Sequence, residues 1–150
     1  MSEITVTVKQ VLEKKGSVTY SVTPDTSVFD ALALMALHDI GAVLVTDTGR
    51  MVGIFTERDY ARKIVLKGLS SKNVKVGEMM TTSVQTITLA DKITHVMSTM
   101  TNKRFRHLPV LDDGKVVGII TIGDVVKAVI EEQEATIQHL ANYISGEIAT

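Results

Sequence analysis

The pattern of apolar and polar positions along the chain is written twice. The string Val52–Asp59, VGIFTERD, returns as Val117–Asp124, VGIITIGD, at an offset of 65 residues. The same offset pairs Met35 with Met100 without a gap, and the apolar pattern follows it even where the identities differ. Self-similarity at a fixed offset predicts that the chain folds as two copies of one structural unit.

Each copy changes its hydrophobic period in the same order. A short alternating stretch predicts a first strand, a 3.6-residue period predicts a helix, and two strands joined by a Gly-containing turn predict a hairpin. A closing helix begins after Thr56 and after Thr121. The predicted strands cover residues 18–22, 42–45 and 51–55 and residues 83–87, 107–111 and 116–120. The expected fold class is α/β (α+β), with two β-α-β-β-α repeats packed as a pseudo-two-fold pair and flanked by N- and C-terminal helices.

Capping residues and apolar stripes define the helices further. Ser27 and Asp30, three residues apart, match the sequence pattern of a capping box, and Asp91 is the N-cap candidate in the second copy. The residues predicted to face inward are Val28, Ala31, Leu32, Met35, Tyr60, Ala61 and Ile64 in the first copy and Ile93, Val96, Met97, Met100, Val125, Val126, Val129 and Ile130 in the second. One copy alone is too small to bury both faces of its sheet, so we expect the copies to pack together.

The repeats also predict the domain boundaries. The first repeat covers residues 8–66, a polar linker 67–76, the second repeat 77–130, and a C-terminal helix and tail 131–150. We expect an N-terminal turn or helix that ends at Lys14-Lys15-Gly16, and a C-terminal helix over Glu131–Ser145. The apolar stripe of this last helix consists of Ile130, Ile137, Leu140, Ala141 and Ile144. Because the repeats do not need this stripe, we expect it to pack on a partner chain or back on its own module.

Composition and charge exclude several classes of function. The 16 basic and 17 acidic residues leave a net charge of −1, so no overall field would hold the chain on nucleic acid or on an anionic membrane. The absence of cysteine excludes disulfides, thiolate metal sites and cysteine nucleophiles. The longest apolar stretch, residues 31–37, is far shorter than the ~20 residues of a membrane span, and the N-terminus does not spell a signal peptide. We therefore expect a cytoplasmic protein that binds neither nucleic acid nor membrane.

Two features carry a resemblance to a known family: the Gly-Ile-x-Thr-x-x-Asp ending of both copies, and the string His107-Leu108-Pro109-Val110 in the second. Over residues 8–130 the chain resembles a tandem pair of cystathionine beta-synthase (CBS) domains, also called a Bateman module. The resemblance implies a regulatory, non-enzymatic module that binds an adenosine-containing ligand in clefts between the repeats. AMP is the first expectation, with ADP, ATP, S-adenosylmethionine and NAD(H) as further candidates.

The resemblance also implies how such a protein acts. The chain looks like the stand-alone members of the family, which function in signal transduction. In these proteins, the ligand shifts the packing of the repeats, and a partner protein recognises the changed surface. We expect a homodimer whose modules meet through their helices, with the C-terminal helix adding contacts. The residues do not identify the effector protein.

The Thr-x-x-Asp motif, present as Thr56–Asp59 and Thr121–Asp124, has two interpretations. A hydroxyl and a carboxylate three residues apart at a helix start form a capping box, in which nothing needs to bind. The N–H groups of the same helix end can also attract a phosphate. The resemblance implies the second interpretation, with Thr56 and Thr121 beside the phosphate and Asp59 and Asp124 accepting from the ribose diol.

The two copies differ in the basic residues near these motifs. Where the second copy has Arg106 and His107, the first has Gly41 and Ala42. A basic cluster of this kind is often only a solvated helix end, but Arg106 and His107 are also phosphate candidates. Arg58 is a third candidate, and its counterpart in the second copy is a glycine that leaves room for a larger ligand such as NAD(H). We therefore expect two unequal sites.

Adenine would need an apolar slot and backbone hydrogen bonds. The strand residues that could supply them are Thr19, Tyr20, Ala42, Val43, Ser83, Val84, Leu108 and Pro109. Pro109 has no N–H to donate, and Tyr20 can equally be a half-buried strand residue. No metal site is expected, because His95 and His139 have no second ligand nearby.

Two alternative functions remain consistent with the sequence. The chain could be a structural dimerisation module with empty clefts, in which Thr-x-x-Asp serves only as a cap. It could also be a nucleotide hydrolase that uses Asp59 or Asp124 as a base. Against a hydrolase, the sequence has no Gly-Lys-Ser/Thr loop, no carboxylate cluster for Mg²⁺ and no Ser-His-Asp spelling.

Overall fold

The computed structural model describes residues 4–144. The described chain divides into two compact units. The Asp59 unit consists of Val18–Gln85 and Gly114–Val117. The Asp124 unit consists of the chain up to Ser17, Thr86–Asp113 and the chain from Gly118 onward.

The elements follow one another in the predicted order. The first half contains α1 (Val8–Lys15), β1 (Ser21–Val22), α2 (Val28–His38), β2 (Ala42–Asp47), β3 (Arg50–Thr56), α3 (Glu57–Asp59) and a π-helical segment (Tyr60–Val65). The second half contains α4 (Val76–Met79), β4 (Ile87–Thr88), α5 (Ile93–Lys103), β5 (His107–Asp112), β6 (Lys115–Thr121) and α6 (Ile122–Ile144). Two β-α-β-β-α repeats with two three-stranded sheets confirm the mixed α/β class.

The strands pair alike in both sheets. β1 is parallel to β2 and β2 antiparallel to β3, while β4 is parallel to β5, which lies next to β6. Each hairpin turns through two residues with positive φ, Thr48 and Gly49 in the first and Asp113 and Gly114 in the second. Two successive positive φ angles define the type I′ turn, whose twist matches that of the flanking strands. The predicted Gly-containing turns are confirmed.

Apolar side chains from the sheet and the helices form the core of each unit. In the Asp59 unit, Phe55 and Val43 from the strands pack with Ile64 of the π-helical segment, and all three are at most 1% exposed. In the Asp124 unit the corresponding residues Ile120 and Leu108 are fully buried. A π-helix is rare and often occurs at functional sites, and this one directly follows the first Thr-x-x-Asp motif.

The segment that leads into the first repeat belongs to the Asp124 unit. The N–H of Ile93 donates to the carbonyl of Val6 at 2.8 Å, and the N–H of Val8 donates to the carbonyl of Asp91 at 2.9 Å. The helix α1 that follows is capped by Thr7, whose side chain accepts from the N–H of Gln10. The N-terminal helix expected from the sequence is therefore confirmed, and it completes the unit built mainly from the second repeat.

The segment that leads into the second repeat makes the same contacts in the Asp59 unit. The N–H of Val28 donates to the carbonyl of Val74 at 2.9 Å, and the N–H of Val76 donates to the carbonyl of Thr26 at 2.8 Å. The two leading segments are thus exchanged between the units, and Val74 and Val76 of the predicted linker pack in a core. The domain boundaries drawn from the repeat stay a prediction.

Two local predictions are wrong in the structure. The first strands are shorter than expected, since only two residues of each reach their parallel neighbour, as Ser21 and Val22 do with β2. Asp91 is not the N-cap of α5, which begins after Lys92. The Asp91 carboxylate instead accepts from the N–H of Thr88 at 2.8 Å and closes the turn before the helix. Ser27 is confirmed as an N-cap, because its hydroxyl accepts from the N–H of Asp30 at 3.0 Å, but the return bond from the Ser27 N–H to the Asp30 side chain that would complete a capping box is not formed.

Four residues expected to face inward are exposed: Ala61, Met97, Val126 and Ile130. Ala61 lies in the π-helical segment, where the wider helix changes the angular position of each residue. Val126 and Ile130 are 52% and 48% exposed, because α6 turns Val125 and Ala128 toward the core instead. α6 therefore carries apolar side chains on part of its exposed surface.

The C-terminal helix is the continuation of the closing helix of the second repeat. α6 runs without interruption from Ile122 to Ile144, through the expected start of a separate helix at Glu131. In the tail stripe, Ile137, Leu140, Ala141 and Ile144 are exposed. Ser145 and the rest of the expected tail, to residue 150, lie outside the described residues. Among residues 4–144, no helix combines the length and the apolarity needed to cross a membrane.

Candidate functional site

Both Thr-x-x-Asp motifs form capping boxes at a helix start. The N–H of Thr56 donates to Asp59 Oδ2 at 3.0 Å, and the N–H of Asp59 donates to Thr56 Oγ at 3.1 Å. The N–H of Thr121 donates to Asp124 Oδ2 at 2.8 Å, and the N–H of Asp124 donates to Thr121 Oγ at 3.2 Å. The capping interpretation is confirmed for both, so the surroundings of each aspartate decide what else it can bind.

The carboxylate of Asp59 is fully engaged inside its own unit. Oδ2 accepts from the N–H and the hydroxyl of Thr56, while Oδ1 accepts from the hydroxyl of Thr81 and from Lys63 Nζ, each at 3.0 Å. Lys63 also donates to the carbonyl of Met79 at 2.9 Å. The side chain of Asp59 is only 9% exposed. A ligand hydroxyl would therefore have to displace a protein group to reach it.

The carboxylate of Asp124 uses only one oxygen. Oδ2 accepts from the N–H of Thr121 and from Lys15 Nζ, the latter at 2.6 Å. No residue in the described chain donates to Oδ1. The side chain of Asp124 is 19% exposed, twice the fraction of Asp59. Asp124 is thus fixed in place by two donors and keeps an acceptor for a ligand.

A cavity of about 550 Å³ opens beside Asp124 between helices α1 and α6. Its volume lies within the range of ~300–1,000 Å³ typical of small-molecule sites. Val11 and Ala128 supply buried apolar surface, and Lys14, Lys15 and Lys127 are among the charged side chains of the wall. Four carboxylates also line the cavity, and one of them pairs with Lys14. The cavity offers an apolar floor and hydrogen-bonding groups of both charges.

The profile of the CBS domain family matches residues 6–66 and 76–131, one copy for each repeat. The chain belongs to the CBS domain family. It is a tandem pair, as its repeated sequence implied, and the profile begins each copy near the leading segment that the structure places in the opposite unit.

Similar proteins support this assignment along most of the chain. The mitochondrial CBS domain-containing protein CBSX3 of Arabidopsis thaliana is 40% identical over 149 residues, covering 93% of this chain and 72% of that protein. The structure of a candidate signal-transduction protein with CBS domains from Burkholderia ambifaria has a TM-score of 0.83 at 49% identity, covering 85% of this chain and 96% of that one. The CBS domain pair of protein MJ0100, solved with 5′-methylthioadenosine and S-adenosyl-L-methionine, has a TM-score of 0.75 at 27% identity, covering 85% and 98%.

The phosphate candidates of the two CBS repeats fall in different units. The carbonyl of Arg106 accepts from the N–H of Ile122 at 3.0 Å, which places Arg106 at the start of α6 beside Thr121. His107 opens β5 in the same unit and is half-buried, whereas Arg58 is an exposed residue of α3 in the Asp59 unit. The structure therefore brings Arg106, Thr121 and Asp124 together, and it does not bring Arg58 to them within one unit.

The eight adenine candidates lie on strands or beside them, but none lines the cavity next to Asp124. Val43 and Leu108 are fully buried in the cores. Ser83 precedes β4, and Thr19 precedes β1, so both lie outside the shortened strands. Tyr20 stacks on His38, with ring centroids 3.7 Å apart, and its carbonyl accepts from β2. Their proposed role toward adenine stays a prediction.

Within the described chain no group of three or more His, Asp or Glu could hold a metal ion.

Sequence analysis missed the three residues that distinguish the two CBS sites: Lys63, Thr81 and Lys15. Lys63 follows Asp59 by four residues, a spacing that favours an ion pair on a helix. Lys15 and Thr81 come from the exchanged leading segments. A second offset of 68 residues, which pairs Val6-Thr7-Val8 with Val74-Lys75-Val76, is the sequence signal that could have found the exchange.

Proposed function

We propose that this protein is a regulatory module that binds an adenosine-containing ligand through its Thr-x-x-Asp motifs and transmits the binding to a partner. The observation that carries the proposal is the fixed, half-engaged carboxylate of Asp124 beside a cavity of about 550 Å³. A carboxylate oxygen without an internal donor suits a ribose hydroxyl. Asp59 and Asp124 are the two candidate ribose acceptors, and the contacts of Asp124 favour it over Asp59.

A phosphorylated adenosine is the ligand class that we propose, with AMP first and with ADP, ATP and NAD(H) as further candidates. Thr121, Arg106 and His107 are the proposed phosphate-side residues in the Asp124 unit, and Thr56 and Arg58 in the Asp59 unit. The MJ0100 pair, with its adenosine-containing ligands 5′-methylthioadenosine and S-adenosyl-L-methionine, supports the adenosine part of the proposal. The lysines beside Asp124 support the phosphate part.

The proposed action is a change of shape rather than a reaction. A ligand that binds one arrangement of the module more tightly than another shifts the population toward it. A coupling of about 1–3 kcal/mol, ordinary for such proteins, would be enough for an effector to read the change. We propose no catalytic residue. The cytoplasmic location expected from the sequence remains a prediction, and the Arabidopsis relative is named as mitochondrial.

We propose that two copies of the chain associate through the apolar side of α6. Ile122, Val126 and Ile130 are 45–52% exposed, and Ile137 and Leu140 continue the same side at 66% and 56%. Sedimentation velocity should show a dimer, and the double substitution Ile137→Glu, Leu140→Glu should dissociate it. Gln138→Glu is the matched control, because Gln138 is exposed on the same helix but lies away from this apolar side, and it should leave the dimer intact. A wild-type monomer at every concentration would contradict this part of the proposal.

The ligand proposal is tested by thermal unfolding with AMP, ADP, ATP, NAD⁺, NADH, S-adenosylmethionine and, as a control for the base, UMP. A ligand present at 100 times its Kd stabilises the folded state by about 2.7 kcal/mol. We expect AMP to raise the melting temperature and UMP to leave it unchanged. If no adenosine compound raises it, the Thr-x-x-Asp motifs are caps only, and the protein is the structural module that the sequence also allows.

A further inference from the structure

Each of the two aspartate carboxylates accepts a hydrogen bond from a residue of a leading segment. At Asp59 the donor is the hydroxyl of Thr81, and at Asp124 it is the ammonium group of Lys15. In the Asp59 unit, the N–H of Thr81 donates to the carbonyl of Ile54 at 2.8 Å, and the hydroxyl of Thr81 donates to Asp59 at 3.0 Å. In the Asp124 unit, Lys15 Nζ donates to the carbonyl of Ile119 at 2.8 Å and to Asp124 at 2.6 Å. Ile119 is the repeat counterpart of Ile54. One lysine side chain therefore makes both contacts that Thr81 makes.

The difference decides how easily each aspartate can be uncovered. Thr81 is held by a two-way backbone bridge, because Ile54 also donates its N–H to the Thr81 carbonyl at 3.0 Å. A χ1 rotation can redirect the Thr81 hydroxyl, but the side chain stays beside Asp59 as long as that bridge holds. Lys15 reaches Asp124 only through its side chain, which is 34% exposed and lines the cavity. A rotation of single bonds withdraws it.

We infer that ligand binding takes place at Asp124 and not at Asp59, and that Lys15 sets the charge of the ligand that this site accepts. This inference rests on the proposed function and assigns it to one unit. Thr81 and Lys63 already supply Asp59 with the hydroxyl and the cation that a ligand and its environment would supply at Asp124. Each chain then binds one ligand molecule.

Lys15 favours a phosphorylated ligand over a neutral one for a simple electrostatic reason. A neutral nucleoside that hydrogen-bonds to Asp124 weakens the ion pair between Lys15 and Asp124 and offers no negative charge to replace it. A nucleotide offers a phosphate that the ammonium group can pair with inside the cavity. Without Lys15, the four carboxylates of the wall would face only Lys14 and Lys127, and an anionic ligand would be repelled.

The test compares the affinities of AMP and adenosine by isothermal titration calorimetry in the full chain. In Lys15→Met we expect the preference for AMP over adenosine to fall by about five-fold or more, since the nearest cation is lost. Lys15→Arg keeps the charge and should keep most of the preference. Lys9→Met removes the same charge from an exposed position of α1 outside the cavity, and it should change the preference less than two-fold.

The outcomes separate this inference from the proposed function. If wild type binds neither AMP nor adenosine, both are wrong. If wild type binds AMP but Lys15→Met keeps the wild-type preference, or if the wild type binds two molecules per chain, the proposed function stands and this inference is overturned. Thr81→Val gives a second test of whether Asp59 stays without ligand. It removes one hydroxyl from Asp59, and the number of AMP molecules bound per chain should stay at one.

Discussion

The starts of α3 and α6 carry the same four-residue motif in different surroundings. At Asp59, Thr81 and Lys63 fill the second carboxylate oxygen and leave the side chain 9% exposed. At Asp124, a lysine from α1 shares the oxygen that the cap already uses, and a cavity lies alongside. The motif sets the cap in both places, whereas the exchanged leading segment decides whether the carboxylate can bind anything further. A repeated motif therefore does not imply a repeated site.

The largest expected difference between the two units concerns the strand glycines that face the leading segments. A Cβ on Gly53 would lie 2.6 Å from Met80 Sδ and 2.8 Å from the Thr81 carbonyl, which is backbone. A Cβ on Gly118 would meet only the end of the Leu12 side chain, at 2.7 Å. We expect Gly53→Ala to lower the free energy of unfolding by about 2–3 kcal/mol and Gly118→Ala by about 1 kcal/mol.

Urea denaturation of both glycine variants measures this difference. The Thr81 bridge must shift to admit a methyl group, while the Leu12 side chain can rotate away. Equal losses of stability in the two variants would show that the two leading segments are held equally firmly. That result would contradict the claimed difference between the surroundings of Asp59 and Asp124.

The next effect concerns the aspartates themselves. Asp59→Ala removes a cap, an ion pair and the partner of the Thr81 hydroxyl from a nearly buried place, and we expect it to cost about 2 kcal/mol. Asp124→Ala removes a cap and a partly exposed ion pair, and about 1 kcal/mol is expected. Denaturation without ligand tests the order of the two values. A larger loss for Asp124→Ala would mean that Asp124 is the more structural of the two.

The smallest effect separates the two groups that cover the aspartates. Thr81→Val preserves the shape of the side chain but deletes a hydrogen bond to a buried carboxylate, at an expected cost of about 1.5 kcal/mol. Lys15→Met should cost about 0.5 kcal/mol, because its ion pair is partly exposed. Melting curves of the unliganded variants compare them. If Lys15→Met destabilises more than Thr81→Val, Lys15 is a structural residue and not a displaceable one.

Much of the fold could be predicted from the sequence because local rules determine it. The hairpin turns need positive φ at Gly49 and Gly114, and at Thr56 and Thr121 the local Thr-x-x-Asp motif caps the helix that follows. The repeat at an offset of 65 residues then implied both sheets. The turns and caps depend on residues that are close in the sequence, and the two sheets follow from the repeated pattern of apolar positions. Both kinds of information can be taken directly from the sequence.

The contacts that distinguish the sites depend on distant residues and could not be predicted in this way. Lys15 lies 109 residues before Asp124, and it reaches that carboxylate only because α1 packs in the opposite unit. Lys14-Lys15-Gly16 was interpreted as a helix end, which is correct but incomplete. Val126 and Ile130 were expected to face inward for a related reason, since periodicity marks an apolar face without telling whether the chain itself covers it.

The central claim is that one aspartate per chain binds the ligand. Calorimetric titration of AMP into wild type, Asp59→Asn and Asp124→Asn tests it most directly, because asparagine keeps the size of each side chain while removing its charge. The account predicts one AMP per chain in wild type and in Asp59→Asn, and binding weakened at least ten-fold in Asp124→Asn. Two molecules per chain in wild type, or loss of binding in Asp59→Asn with binding retained in Asp124→Asn, would contradict it.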